Sequence, residues 1–258
     1  MLIDTHAHLW WPSYEGDLDE VLERARAAGV EKIICPGTNA ETSKQAIELA
    51  KKYPGVIYAG VGVHPEEVLN FGKVRPSPPM SMAGWALPSR SDLAGSVAVG
   101  EIGIDLYTEE MRGKLSEQKE LFRVQCEMAV KLDLPVIVHT RQSLVETLEV
   151  LGQLPKMPRG QFHCFSHDEI GLKQVLKRGF YVSFCGNITW SKRVARLVPL
   201  VPIDRLLLET DSPFMLPGGR NDPGNVTITA QIIADLQGLT LQALGEQTTN
   251  NAQRLFKL

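Results

Sequence analysis

The chain has 258 residues, a length that fits one large α/β barrel, so we expect a single domain over residues 1–258. Hydrophobic residues make up 43% and charged residues 22%, the balance of a globular protein with a sizeable core. The formal net charge, 27 − 30 = −3, excludes a broad electrostatic affinity for nucleic acid. It leaves open a nucleic-acid substrate that is held locally by metal ions and a few cationic side chains.

The N-terminal residues and the cysteines indicate the compartment. No basic segment followed by an apolar stretch opens the chain, and no apolar run approaches the ~20 residues that span a bilayer, so neither a signal peptide nor a membrane contact is expected. The four cysteines lie far apart without a C-x-x-C pair. We therefore expect free thiols and a cytoplasmic location.

Short apolar runs recur along the chain and predict eight strands. Their β-branched content is typical of parallel strands that are buried on both faces. In chain order, these runs are residues 2–4, 32–35, 56–59, 97–99, 135–138, 161–164, 180–184 and 205–208.

Amphipathic segments with helical spacing lie between most of these runs. The first places Leu18, Val21, Leu22 and Ala25 on one face and is followed by Gly29, a suitable residue for a helix end. Strands that alternate with helices indicate βα units, and eight such units predict an α/β fold of the (β/α)₈ TIM-barrel type. The predicted helices are residues 17–28, 42–52, 116–132, 144–151, 170–178, 192–198 and 226–236.

One segment, Phe71 to Gly95, interrupts the alternation of predicted strands and helices, because it is rich in Pro, Ser and Met. We interpret it as an irregular excursion between the third and fourth strands. A surface loop is the favoured interpretation, and a lid over the substrate is the alternative.

Histidines and carboxylates collect at the ends of the predicted strands, where the active sites of parallel barrels lie. Since side chains two residues apart share a face of a strand, Asp4, His6 and His8 point together. By the same alternation, Cys164 should point away from the side of His163. The residues at or just past strand ends are His6, His8, Glu101, His64, His139, His163 and Asp211.

This set has the donors of a divalent metal site, because imidazole suits Zn²⁺, Fe²⁺ or Mn²⁺ and carboxylate also suits Mg²⁺. Four imidazoles and two carboxylates exceed one tetrahedral shell, so we expect two ions, with Glu101 as the natural bridge. Two ions about 3.5–4 Å apart can activate a water for hydrolysis. The predicted metal ligands are His6, His8, Glu101, His139, His163 and Asp211.

Structural interpretations compete with this one. His64 could shape a turn, Asp211 could cap the next turn, and Arg141 could be a surface cation. A shared site is favoured because these residues follow different strands of one barrel. Trp10 and Trp11 are expected to pack against the protein rather than stack on bases. Residues 60–62 read Gly-Val-Gly without the third glycine of a dinucleotide fingerprint, so no organic cofactor is expected.

With these residues in place, the chain resembles the TatD family of metal-dependent deoxyribonucleases, within the amidohydrolase superfamily. The motifs extend almost from end to end. They are DTHAHL at 4–9, GVHP at 62–65, VGEIGIDLY at 99–107, Gln118, Phe122 and Gln125, PVIVHTR at 135–141, HCFS at 163–166, ETDSP at 209–213, RNDP at 220–223 and NAQRLF at 251–256.

The resemblance implies a metal-dependent hydrolase barrel with two divalent ions (Zn, Mg or Mn). It implies one ion on His6, His8, Glu101 and Asp211, and a second on Glu101, His139 and His163. It also implies that Asp211 is the general base, that His64 and Arg141 hold phosphate oxygens, and that Glu209 supports a ligand histidine. Two departures are Glu66 and Glu67 after GVHP, which make the rim less basic, and His167 after HCFS.

Three functions follow as hypotheses. The first is a two-metal deoxyribonuclease that trims an end of DNA. The second is a hydrolase of small amides, lactones or phosphoesters on the same scaffold; against it, Glu101 stands where many superfamily relatives carry a modified lysine. The third is a non-catalytic barrel that binds metal for stability.

Overall fold

A computed structural model describes residues 1–70 and 95–258 of the chain. Within them, eight strands form one parallel sheet whose spatial order follows the sequence. The strands are β1 (Leu2–Asp4), β2 (Val30–Pro36), β3 (Ile57–Val61), β4 (Ser96–Asp105), β5 (Val136–Arg141), β6 (Gly160–Phe162), β7 (Tyr181–Phe184) and β8 (Leu206–Leu208). The segment 71–95, interpreted above as a loop or lid, lies outside the described residues except for Gly95.

The sheet curls until its first and last strands meet. The Thr5 amide donates to the Leu208 carbonyl at 2.9 Å, and the His8 amide donates to the Ser212 carbonyl at 2.7 Å. A parallel bridge pairs Ala7 with Ser212 between these bonds. The predicted (β/α)₈ TIM barrel is therefore confirmed, and its seam passes beside the paired histidines.

Helices surround the barrel, and most begin and end within two residues of their predicted bounds. Gly29 follows the first of them with φ +87°, a conformation that glycine adopts without steric cost. The helices are α1 (Leu18–Ala27), α2 (Ala40–Lys52), α3 (Glu109–Arg112), α4 (Leu115–Leu132), α5 (Leu144–Gln153), α6 (Glu169–Lys177), α7 (Lys192–Ala195), α8 (Val226–Gln237) and α9 (Leu241–Phe256). None of these helices is both long and apolar enough to cross a membrane.

Two helical predictions need correction. The single helix over residues 192–198 is wrong, because α7 ends at Ala195 and a 3₁₀ turn, Val198–Leu200, follows. Pro199 explains the break, since proline disfavours the helical conformation of the residue before it. Helix α9 was not predicted, because buried Thr248 and Asn251 interrupt its apolar stripe. The Asn251 amide donates to the Ile203 and Leu206 carbonyls at the foot of β8.

The strands are buried on both faces, as their apolar composition predicted. All residues of β7 and β8 are buried, and Phe162 meets Phe180 edge to face at 5.1 Å. Burying one such large apolar side chain contributes about 1.5–3 kcal/mol. This core supports a rigid rim of strand ends, on which the polar residues lie.

Candidate metal centre

A buried carboxylate places the first two histidines. Asp4 accepts hydrogen bonds from the His6 amide at 3.1 Å, the Thr210 amide at 3.0 Å and the Thr210 hydroxyl at 2.6 Å. Burial raises the pKa of Asp4 to about 7, although these hydrogen bonds act to lower the pKa. Asp4 therefore joins β1 to the residues after β8 and positions the two histidines that were predicted as metal ligands.

The tautomer of His8 follows from its neighbour. Its Nδ1 lies 3.2 Å from the Pro36 carbonyl, which can only accept, so the proton is on Nδ1. The Nε2 lone pair is then directed toward the Nε2 of His6, 3.1 Å away. Two imidazole nitrogens that converge in this way are suited to share a cation.

Glu101 lies at the centre of the cluster and is almost fully buried. Burial alone would raise its pKa, but the charges of His163, His64 and His6 and the hydrogen bond with His139 outweigh burial and hold the pKa well below its usual value. Its carboxylate is therefore ionised, with each oxygen facing imidazoles. Oε1 lies 2.8 Å from His139 Nδ1, 2.9 Å from His163 Nε2 and 3.6 Å from His64 Nε2. Oε2 lies 3.4 Å from the Nε2 atoms of His6 and His8.

Strand β4, predicted over residues 97–99, extends past Gly103 to Asp105. Gly103 has φ +154°, and a Cβ there would lie 1.9 Å from the His139 carbonyl oxygen, so only glycine fits. The strand thereby carries Asp105 to 3.0 Å from His139 Nε2. The Gln118 side chain accepts the Asp105 amide at 2.8 Å and fixes this strand end.

Asp105 is a site residue that the sequence-based list omitted. Its signal was present, because Asp105 and Glu101 are four residues apart on one strand and share a face. His139 lies between the two carboxylates; burial alone would lower its pKa, but the hydrogen bonds to Asp105 and Glu101 raise it to about 10. Asp105 thus orients His139 from one side and leaves Nδ1 directed at the cluster.

Replacing Asp105 with Ala is expected to weaken metal binding about 10- to 100-fold, the usual cost of losing a group that orients a ligand histidine. Titration calorimetry with Mn²⁺ or Zn²⁺ measures the affinity. Asp105→Asn, which can still accept from His139, should recover part of the loss. Equal affinities in the wild type and the Ala variant would contradict the role.

His163 follows β6 and stacks on His6, with ring centroids 4.0 Å apart and planes 7° apart. Glu209 lies behind it, with Oε1 3.8 Å from His163 Nδ1. Glu209 also accepts from the Cys164 amide at 2.5 Å and the Ser183 hydroxyl at 2.7 Å, and burial raises its pKa to about 8.

Cys164, predicted to point away from the side of His163, borders the cavity of the site. Its sulfur lies 3.0 Å from that of Cys185, which is not among the residues that line the cavity. Strand alternation does not reach it, because β6 ends at Phe162 and Cys164 has φ +44°.

Asp211 closes the cluster from the side of β8. Its Oδ1 is 3.7 Å from the Nε2 atoms of both His6 and His8, and its amide donates to the His6 carbonyl at 2.9 Å. Burial alone would raise its pKa, but the hydrogen bond with His8 and the charges of His6 and His163 outweigh burial and lower the pKa. Asp211 is therefore a carboxylate at neutral pH.

The two residues expected to bind phosphate lie at different depths. His64 is buried beside Glu101 and accepts the Glu66 amide through Nδ1 at 3.3 Å, so it belongs to the inner cluster. The residue before it, Val63, is held by the Gln125 side chain, which accepts from the Val63 amide and donates to the Val63 carbonyl. Arg141 ends β5 at the exposed rim, where its guanidinium stacks 3.6 Å from the Tyr107 ring centroid.

The donor set fits divalent cations. Burial lowers the pKa of His6 to about 4, so its imidazole is neutral, the form that binds metal. Buried Nδ1 atoms of His6 and His163 have no hydrogen-bond partner. Three groups of the described residues that include histidines bring their ligand atoms within 4.8 Å of one another: His6, His8 and Glu101; His64, Glu101 and His139; and His6, His163 and Glu209. Glu101 belongs to two of these groups, on opposite sides of its carboxylate.

His167, one of the two departures from the family motifs, lies beside the site. Its Nε2 is 2.7 Å from the Thr140 hydroxyl, and burial lowers its pKa to about 4. The unfolded chain, with an ordinary pKa near 6.5, therefore binds more protons than the folded chain between these values. His167 should destabilise the fold as the pH falls from 6.5 to 4.

Between pH 7 and pH 4.5, the free energy of unfolding of the metal-free protein is expected to fall by up to about 2 kcal/mol more in the wild type than in His167→Gln. Urea denaturation in the presence of a chelator, at both pH values, measures the difference. Parallel pH dependences would show that His167 is not the group responsible.

These residues surround a cavity of about 730 Å³ at the carboxyl ends of the strands. The inner wall consists of histidines and carboxylates, and the outer wall combines Glu66 and Glu67 with an aromatic side formed by Trp10, Trp11 and Phe214. Among the described residues that line it, Arg141 is the one Arg or Lys. The cavity therefore has room for a small molecule or the end of a chain beside the cluster of histidines and carboxylates.

Comparison with known proteins places this arrangement among hydrolases. The sequence pattern of one family, described as TatD related DNase, matches residues 3–257. A protein of Bacillus subtilis (strain 168), named as the uncharacterized metal-dependent hydrolase YabD, is 35% identical over 265 residues that cover 100% of both chains. One from Erwinia billingiae (strain Eb661), named 3′-5′ ssDNA/RNA exonuclease TatD, is 33% identical over 272 residues, covering 100% of this chain and 99% of its own.

Solved structures agree with the sequence comparisons. The crystal structure of YJJV, described as a TatD homolog from Escherichia coli K12, has a TM-score of 0.86 and 29% identity, covering 100% of this chain and 98% of that one. An uncharacterized amidohydrolase from Saccharomyces cerevisiae has a TM-score of 0.75 at 18% identity, covering 99% of each chain, and shares the fold.

Proposed function

Because the chain belongs to the family of TatD-related DNases and is a metal-dependent hydrolase, we propose that it hydrolyses phosphodiester bonds at an end of DNA. The observation that carries this proposal is the position of Glu101, whose two carboxylate oxygens face two separate groups of imidazoles. Such an arrangement suits a bridging ligand between two cations rather than the ligand of one.

Two divalent ions are proposed. His6, His8, Glu101 and Asp211 would hold one, and Glu101, His139 and His163 the other, with His64 directed at the second group. When bound, a pair of divalent ions lowers the pKa of a water and neutralises charge that develops on the attacking and leaving oxygens. Asp105 holds His139 in place from behind at 3.0 Å, and Glu209 lies behind His163 at 3.8 Å.

The proposed general base is Asp211. It is ionised, buried among histidines and tethered by its amide to His6, so its carboxylate can accept a proton from a water in the cavity. Arg141 is directed into the outer cavity and would bind a phosphate oxygen, for which a guanidinium is well suited. The stacking of Arg141 on Tyr107 restricts the guanidinium and lowers the entropic cost of that contact.

End-on cleavage is supported by the shape of the cavity. Its lining comes from segments around the whole barrel mouth, including His8, Thr38, Glu101, Thr140, Ser166 and Asp211, so it is a pocket rather than a groove across the surface. A strand end can enter a pocket that a continuous duplex cannot. The relative from Erwinia billingiae is named for 3′-5′ action on single-stranded DNA and RNA, and we propose the same direction here.

A nuclease assay tests the proposal. Purified protein loaded with Mg²⁺, Mn²⁺ or Zn²⁺ is incubated with single- and double-stranded DNA labelled at either end, and products are resolved by length. A ladder that retains a 5′ label is expected from a single strand. Failure to shorten any labelled DNA under every metal condition would refute the function.

The second candidate, a hydrolase of small phosphoesters, amides or lactones, is favoured by one observation. Glu66 and Glu67 lie at the rim that a nucleic-acid backbone would cross, with Arg141 as the only lining Arg or Lys among the described residues. A panel of such small substrates, assayed beside the labelled DNA, separates the two candidates by their kcat/KM values.

A further inference from the structure

Three aromatic residues form one side of the cavity mouth: Trp10, Trp11 and Phe214, which we call the aromatic wall. The Trp11 and Phe214 rings meet edge to face with centroids 4.9 Å apart, and the Trp10 ring lies 5.4 Å from that of Trp11. The contact between Trp11 and Phe214 joins residues about two hundred positions apart in the chain. The wall is therefore a product of the closed barrel.

The members of the wall differ in exposure. Trp10 is half-buried, and its indole N–H donates to the Pro36 carbonyl at 2.8 Å, so it serves as the base on which the others rest. Trp11 is 36% exposed and Phe214 41% exposed. Burial alone does not account for placing two large rings at the mouth of a polar cavity, because exposing them forfeits part of their hydrophobic stabilisation.

The wall is also tied to the metal centre. The Trp11 amide donates to the His8 carbonyl at 3.0 Å, and the Phe214 amide donates to the Asp211 carbonyl at 2.9 Å. Both rings are therefore fixed relative to two of the proposed metal ligands. The His8 ring lies 5.4 Å from the Trp10 ring and 5.9 Å from the Phe214 ring, so a group on the wall lies directly beside the cluster.

Charge at the mouth supports an aromatic occupant. Arg141 is the one lining Arg or Lys among the described residues, while Glu66 and Glu67 carry the opposite sign, so contacts with several phosphates cannot supply most of the binding. Base–aromatic stacking contributes about 1–3 kcal/mol per base and needs no cations. This distribution of charges and aromatic rings fits a nucleotide end whose base contacts the aromatic wall and whose phosphate contacts Arg141.

We propose that Trp11 and Phe214 form a stacking subsite for the nucleobase next to the scissile phosphate and that this subsite determines the preference for unpaired ends. The inference rests on the proposed phosphodiesterase function. It replaces the sequence-based expectation that both tryptophans serve packing. Trp10 keeps that packing role, whereas Trp11 contacts the substrate.

The test compares two metal-loaded reactions on a 5′-labelled single-stranded oligothymidine. One substrate carries bases throughout, and the other has abasic tetrahydrofuran residues at its last two 3′ positions. The ratio of the two kcat/KM values is expected to fall about tenfold in Trp11→Ala and in Phe214→Leu, mainly through KM, in line with the loss of one stack. Trp11→Phe should keep most of the ratio, because it preserves an aromatic face.

Trp190→Ala is the matched control, since Trp190 is 48% exposed and lies outside the lining of this cavity. Circular dichroism verifies that each variant is folded. Ratios that stay at the wild-type value in both Trp11→Ala and Phe214→Leu, or that fall equally in Trp190→Ala, would overturn the subsite. If no DNA is cleaved, the proposed function fails, but the stacking subsite can still be tested by binding. Fluorescence anisotropy then measures the affinity of the wild type and of Trp11→Ala for the same two oligonucleotides. A wild-type preference for the base-bearing strand that Trp11→Ala abolishes supports the subsite, and equal binding of the two strands overturns it.

Discussion

Glu101→Gln is expected to abolish hydrolysis and to reduce metal binding at the same time. The substitution keeps the side-chain size but removes the negative charge that five imidazoles face within 3.6 Å. Loss of a group that merely orients a ligand costs about 10–100-fold in affinity, so losing the shared ligand should cost more than about 10²-fold. Metal content by mass spectrometry and DNA hydrolysis should fall together.

Glu110→Gln serves as the control for this variant, because Glu110 is an exposed carboxylate on the short helix α3 after the same strand. It should retain metal and activity. A Glu101→Gln protein that binds the full complement of metal and cleaves DNA at the wild-type rate would remove Glu101 from the centre of the site.

Asp211→Asn is expected to lower kcat by about 10²–10⁴-fold, the usual contribution of a general base. Its effect should differ from that of Glu101→Gln, because Asp211 contacts His6 and His8 at 3.7 Å whereas Glu101 lies closer to more imidazoles. Most of the metal content and KM should therefore persist while turnover is lost. Single-turnover kinetics on end-labelled DNA, together with metal analysis, separates the two effects.

Asp235→Asn provides the comparison for the second variant, since Asp235 is exposed on α8 and accepts a hydrogen bond from Gln231. It should turn over like the wild type. If Asp211→Asn loses metal in proportion to activity, Asp211 acts as a ligand alone and the base must be sought elsewhere in the cavity.

The barrel and the grouping of histidines and carboxylates at its mouth were predictable from the sequence because their signals are local. Apolar runs that end in His or a carboxylate reveal both a strand and its carboxyl end, and parallel topology then gathers those ends at one rim. Asp4, His6 and His8 illustrate the strength of this reasoning. Alternation alone groups their side chains, and the structure gives the scaffold role to Asp4 and the inner positions to the histidines.

The remaining features depend on contacts between distant segments. The position of Asp105 depends on Gly103, which keeps β4 extended beyond the apolar run 97–99 that predicted the strand. Cys164 lies beyond the last hydrogen-bonded residue of β6, so strand alternation no longer applies to it. Helix α9 contains buried polar residues, and their partners at the foot of β8 are visible only in the folded chain.

The seam between β1 and the residues after β8 determines when the protein can become active during its synthesis. His6 and His8 are among the first residues made, but Asp4 gains its Thr210 partners, and the histidines gain Asp211, only after more than two hundred further residues. At about 5–20 residues per second, this interval lasts roughly ten to forty seconds. The nascent chain thus carries an incomplete set of the proposed ligands until translation is nearly complete, so we expect no hydrolysis before the barrel has closed.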